Sequence, residues 1–123
     1  MKLLTHNFLQ SIVKGVSKPY PLIINSTKIE ENEVEFSDIA VTRMIERLDY
    51  DALLSGLKNI SCNHNLPATL PENYEGDMEF LKNMHHALFE IEIIEGDLVC
   101  EESGRKYPIM RGIPNMLLTE EEV

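Results

Sequence analysis

The run Cys100-Glu101-Glu102-Ser103-Gly104, set between apolar segments 98–100 and 107–110, limits what this chain can fold into more than any other stretch. Its outline is that of a metal knuckle, in which Cys-x-x-Cys-Gly turns tightly between two strands and offers two thiolates to zinc. Here the second cysteine is Ser103, so the turn survives while half of its ligands have gone. Such a turn reads as a scaffold rather than a reaction centre.

At 123 residues, 43% of them hydrophobic, the chain predicts one compact domain or one domain carrying an insertion. It carries 21 acidic against 11 basic residues, a formal charge of -10. Affinity for nucleic acid rests on Lys and Arg neutralising phosphates, and this field has the opposite sign. The expectation is that the chain does not hold RNA or DNA alone. The two cysteines, Cys62 and Cys100, are too few and too distant for a disulfide framework. The opening Met1-Lys2-Leu3-Leu4-Thr5-His6-Asn7 breaks its apolar run too early for a signal peptide or a membrane span. An intracellular, reducing setting and no membrane partner follow as expectations.

Residues 1–24 read as strand-like and turn-rich, with Leu22, Ile23 and Ile24 as a buried strand after the breaker Lys18-Pro19-Tyr20-Pro21. Residues 25–35 read as a polar loop with a short edge strand near Lys28 and Ile29. Ser37 predicts an N-cap, with Ile39, Met44, Ile45 and Leu48 on one face of the helix that follows. Asp49 predicts a second cap, ahead of the stripe Leu53, Leu54, Leu57 and Ile60. A third helix over 77–89 carries Met78, Leu81, Met84, His85 and Leu88. From Glu90 the period drops to two. Glu95-Gly96-Asp97 reads as a hairpin turn, 98–100 as its return strand, 107–110 as the next strand, and Gly112-Ile113-Pro114 as an irregular turn before a last strand at 115–118. Proline bars Pro114 from the interior of a ladder, which places that segment at a sheet edge. The expected fold is α+β, a small antiparallel sheet made by both termini with a helical insertion between them.

The glycines are too scattered for a dinucleotide fingerprint or a phosphate loop. Structural zinc wants two close pairs of ligands, but Cys62 and His64 stand as one isolated pair and Cys100 has no near partner, so no metal site is expected. Cys100 reads as a small buried apolar residue. His85 and His86 read as one histidine half-buried on the core and one solvated, with no nucleophile motif beside them. Asp77 with Glu79, and Glu101 with Glu102, read as cap and turn charges. Apolar residues crowd the termini: Leu3, Leu4, Phe8, Ile113, Pro114, Met116 and Leu117. They fit either the core of the small sheet or a sticky strand edge completed by another protein.

The start Met1-Lys2-Leu3-Leu4-Thr5-His6-Asn7-Phe8-Leu9, the run Met84-His85-His86 ahead of 90–96, and Gly112-Ile113-Pro114-Asn115-Met116-Leu117-Leu118 resemble the multifunctional methyltransferase subunit family. The resemblance spans essentially the whole chain and is weakest at 25–35 and 61–76. It implies a zinc-ribbon-like domain of residues 1–35 and 90–123 with a helical insertion at 36–89. It further implies a subunit that is not itself an enzyme but activates and stabilises several S-adenosylmethionine-dependent class I methyltransferases as heterodimers. Family partners modify tRNA, small-subunit rRNA and a glutamine of a translation release factor, in cytoplasm and nucleus. The partner would bind S-adenosylmethionine, and RNA would be met only through it. Zinc-bearing members carry cysteines at positions matching Ser11, Val16, Cys100 and Ser103. Only Cys100 is a cysteine here, so metal binding does not carry over.

On this resemblance the partner-binding residues are Leu4, Thr5, Phe8, Met110, Ile113, Pro114, Asn115, Met116 and Leu117. A patch of about 800 Å² per partner would hold a stable complex. The alternative is a degenerate ribbon that binds metal through Cys62, His64 and Cys100, or one that binds RNA directly.

Overall fold

The computed structural model describes residues 1–9, 17, 21–62 and 64–116. The elements run α1 (Leu3–Phe8), β1 (Ile23–Glu31), α2 (Asp38–Ile45), α3 (Tyr50–Asn59), a 3-10 turn (Tyr74–Gly76), α4 (Met78–His85), a π-helical turn (His86–Glu90), β2 (Ile91–Val99), β3 (Lys106–Met110) and β4 (Ile113–Pro114). The strands form one antiparallel sheet in the order β1-β2-β3-β4. The α+β class with an antiparallel sheet drawn from both halves of the chain is therefore as expected. Among the described residues no helix is long and apolar enough to cross a membrane.

Helix starts follow the side chains that cap them. Ser37 Oγ accepts the Ala40 N–H at 3.3 Å, Asp49 that of Ala52 at 3.1 Å, and Asp77 that of Phe80 at 3.1 Å. Each satisfies an amide that the first turn cannot pair. Behind these caps Val41, Ile45, Leu53, Leu57, Leu81, Met84 and Leu88 enter one core with Leu3, Ile24, Ile91, Ile93, Leu98, Tyr107 and Ile109. Ile39 and Met78 depart from their expected faces. Both sit in the first turn of their helix and point to solvent, Ile39 at 62% exposure.

Three expectations near the sheet are corrected. Residues 3–8 form a helix, not a strand, because its inner face is Leu3, His6 and Asn7, a helical spacing with two polar members. The edge strand expected near Lys28 and Ile29 is longer than read: it continues from Ile23 through the polar segment to Glu31, and only 32–35 lie outside any element. Its edge position tolerates charged side chains, and a bulge at Thr27 keeps it in register with β2. Gly96 is not in a turn: β2 runs unbroken through it. At φ +152 a Cβ there would lie 2.1 Å from the Asn25 carbonyl oxygen, so glycine lets β1 and β2 approach beside the bulge.

The knuckle turn is as read. The Gly104 N–H donates to Cys100 O at 2.7 Å, the Cys100 N–H to Arg105 O at 2.9 Å, and Gly104 takes φ +75. Cys100 is buried in the core. The Ser17 N–H donates to a Glu102 carboxylate oxygen at 2.7 Å, and the Ser17 hydroxyl donates to the same carboxylate, tying the N-terminal segment to the knuckle. Ser11 and Val16 lie outside the described residues.

Candidate functional site: an apolar hairpin at the sheet edge

β3 alternates strictly. Tyr107 and Ile109 are buried while Lys106, Pro108 and Met110 face solvent. Met110 pairs with Ile113 across a two-residue turn, Arg111-Gly112, so β4 begins at Ile113 and not at Asn115. The earlier start follows from that turn: with φ 54 and 77, two residues close the hairpin and none is left over for a longer loop. The Asn115 N–H donates to Pro108 O at 2.8 Å and extends the pairing by one bond. Pro114 stands on the outer strand, as its missing donor requires.

Pro108, Met110, Ile113, Pro114, Asn115 and Met116 line an open hollow of about 640 Å³. Met110 is 69% and Ile113 70% exposed, unusual for residues of this size. Of the expected contact residues, Met110, Ile113, Pro114, Asn115 and Met116 are thus brought together. Leu4, Thr5 and Phe8 belong to α1 and do not line the hollow. Leu4 packs partly on the core, whereas Thr5 and Phe8 are exposed, Phe8 at 55%. Leu117 lies outside the described residues. Pro108 is the lining residue that sequence reading missed, although its alternation with Tyr107 and Ile109 was the available signal.

The chain start abuts this hairpin. The Met1 ammonium donates to Ile93 O at 2.6 Å, and the Ile93 N–H returns a bond to Met1 O at 2.8 Å. Glu92 approaches the ammonium at 3.9 Å, while burial pushes the amine pKa below its usual value against that attraction. The Gly112 N–H donates to Ile94 O at 2.9 Å, and a Cβ on Gly112 would stand 3.2 Å from the Met1 nitrogen. So α1 leaves from beside the hairpin turn. His6 fixes that helix through a 2.7 Å bond from Nε2 to Leu22 O, with its ring against Gly56. Burial lowers the His6 pKa, and the Leu22 carbonyl opposes the shift.

The remaining candidates serve structure. His85 Nε2 bonds Val34 O at 2.8 Å and His86 Nδ1 bonds Glu90 at 2.9 Å. Glu90 also accepts the Val34 N–H at 2.9 Å, and that bond is the main reason its pKa falls below the ordinary value. His85 is buried and His86 half-buried. Together they clasp the segment before α2 to the π-helical turn. Among the described residues no three His, Cys, Asp or Glu side chains converge as metal ligands. Ser103 Oγ accepts the Arg105 N–H instead, and Cys100 is turned into the core, a donor set that does not fit zinc.

A family profile described as "Trm112p-like protein" matches residues 2–112. The chain is 46% identical over 123 residues to the mouse (Mus musculus) "Multifunctional methyltransferase subunit TRM112-like protein", covering 99% of this chain and 98% of that one. It is 42% identical over 125 residues to the Arabidopsis thaliana "Multifunctional methyltransferase subunit TRM112 homolog A", covering all of both. In structure it is similar to a chain of the E. cuniculi Mtq2-Trm112 complex that methylates the eRF1 translation termination factor. That match has a TM-score of 0.60 at 24% identity and covers 95% of each chain.

Proposed function

The chain belongs to the Trm112p-like family, and we propose that it is the non-catalytic subunit that activates and stabilises several S-adenosylmethionine-dependent methyltransferases acting on tRNA, rRNA and a release factor. The observation that carries this reading is the exposed apolar hairpin at a sheet edge that no strand of the described residues covers. Met110, Ile113, Pro114, Asn115 and Met116 offer a ready surface. Contact through Leu4, Thr5, Phe8 and Leu117 belongs to the same proposal, supported by the exposure of Thr5 and Phe8 on α1. A class I methyltransferase with its own apolar strand edge would bury both surfaces in one interface. Binding only the folded partner would stabilise it by linkage and order its cofactor site indirectly.

The sheet's other edge supports docking at β4 alone. β1 is bulged and carries Lys28, Glu30 and Glu31, features that discourage strand addition. S-adenosylmethionine would be held by the partner, and RNA would be met through the partner, in keeping with the charge of -10. Division into a ribbon of 1–35 and 90–123 with an insertion of 36–89 belongs to this proposal, as does action in cytoplasm and nucleus. The experiment is expression of an Mtq2-type methyltransferase with and without this chain. Soluble, active enzyme only in co-expression supports the reading. Equal yield and methylation in both arms overturns it.

A further inference from the structure

We propose that Arg111 is the ionic anchor of this hairpin, its guanidinium receiving a carboxylate of the methyltransferase beside the apolar contact of Met110 and Ile113. The inference rests on the reading that the hairpin docks on a methyltransferase.

Backbone conformation is the first ground. Arg111 has φ 54 and Gly112 φ 77, the pair of positive values that a two-residue hairpin turn of type I′ requires. Asn, Asp or Gly fills the first of these positions with little strain, whereas a long side chain with an ordinary Cβ is held there at a free-energy disadvantage. Among the described residues only one other non-glycine has positive φ, Ser61. Ser61 closes the end of α3, its N–H donating to Lys58 O at 3.0 Å, so a local reason accounts for it. The turn itself has no use for a guanidinium. A strained position that keeps such a group points to use of the side chain.

Placement is the second ground. Arg111 is exposed between two large apolar residues that are themselves more than two-thirds exposed. Among the described residues no carboxylate stands within ion-pairing distance of it. Glu92, whose carboxylate lies beside Gly112, faces the Met1 ammonium instead.

Charge is the third. From Ser103 to Met116 the sequence contains Arg105, Lys106 and Arg111 and no acid, in a chain whose total charge is -10. The docking surface is thus a positive, apolar hairpin on an acidic molecule. Its complement is a patch of apolar residues with a carboxylate at its centre or rim. A guanidinium matches that carboxylate with two parallel hydrogen bonds, and the excluded water strengthens them. A phosphate of RNA has similar geometry, but Met110 and Ile113 gain most against protein, and the field of the whole chain repels phosphate.

The test uses the full chain with the Mtq2-type methyltransferase of the same organism, measuring affinity at about 0.05 and 0.5 M salt together with the melting temperature of the free subunit. Arg111→Asn relieves the turn, so the melting temperature holds or rises, while affinity at low salt falls about tenfold and loses its salt dependence. Arg111→Lys recovers most of the affinity and Arg111→Glu loses more. Affinity of Arg111→Asn within about twofold of the parent overturns the inference. So does a loss of affinity that tracks a lower melting temperature, or a loss confined to RNA binding by the heterodimer. Ile113→Asp separates the two levels of the account. If it alone releases the partner, docking stands and the ionic anchor fails; if it binds normally, docking itself fails.

Discussion

Asn7 and Asp49 exchange two hydrogen bonds, the Asn7 amide donating to the Asp49 carbonyl at 2.7 Å and accepting the Asp49 N–H at 2.8 Å. Asp49 also caps α3 through its side chain, so one residue starts α3 and holds α1 against it. Placement of Thr5 and Phe8 on the surface therefore depends on a polar latch inside the fold. Asn7→Ala leaves the half-buried Asp49 N–H without its partner, while the Asp49 carbonyl keeps the Leu53 N–H at 3.1 Å. The expected loss is about 1–2 kcal/mol by urea denaturation. A loss near zero would show that water replaces the latch without penalty.

Gly96 tolerates no side chain. Gly96→Ala brings a Cβ against the Asn25 carbonyl oxygen at a positive φ, and β1 must shift to accommodate it. A loss of at least about 2 kcal/mol is expected in thermal unfolding. An unchanged melting curve would mean that β1 and β2 do not approach as described.

Below the window that the lowered Met1 amine opens under pH 8.0, acid weakens the fold through His6 and Glu90. His6 is ordinarily half-protonated at 6.5 and its folded pKa lies lower, so between those values the unfolded chain binds more protons. Its contribution is complete above pH 6.5 and is lost as pH falls through the folded pKa. Glu90, ordinarily at 4.5, also has a lowered folded pKa, and its contribution is complete above 4.5 and lost below. Stability measured between pH 7 and 5 should fall, and His6→Gln, which retains an amide donor, should flatten that slope while leaving the lower window. An unchanged slope in His6→Gln would contradict the assignment.

Metal removal should change nothing. With Ser103 bonded within its turn and Cys100 in the core, the knuckle turn is held by packing and by the Ser17–Glu102 contact. Purified protein is expected to contain no stoichiometric zinc by elemental analysis, and a chelator should leave the melting temperature unaltered. A chelator-induced drop of several degrees would restore a metal to the fold.

Much of the fold was legible where one residue decides a local outcome. Ser37, Asp49 and Asp77 each precede a helical period and each caps a helix. Gly104 marks a turn because its φ suits glycine. Reading failed where the reason lay far away in the chain. The inner face of α1 includes His6 and Asn7, whose partners are Leu22 and Asp49, so its hydrophobic period is masked. Gly96 has the neighbours of a turn residue, but its cause is Asn25, on another strand. The edge position of Pro114 was readable from its missing backbone donor. Pro108 joins Met110 on the open face only through the pairing of β3 with β4, which brings Asn115 to its carbonyl.

The most direct measurement is the dissociation constant of the complex between this chain carrying Ile113→Asp and an Mtq2-type methyltransferase. Ile113 is 70% exposed, so the free subunit should melt as before. A charge buried without a partner at the centre of the contact should weaken binding by about 100-fold or more and abolish copurification. Affinity within about twofold of the parent would contradict docking through the hairpin.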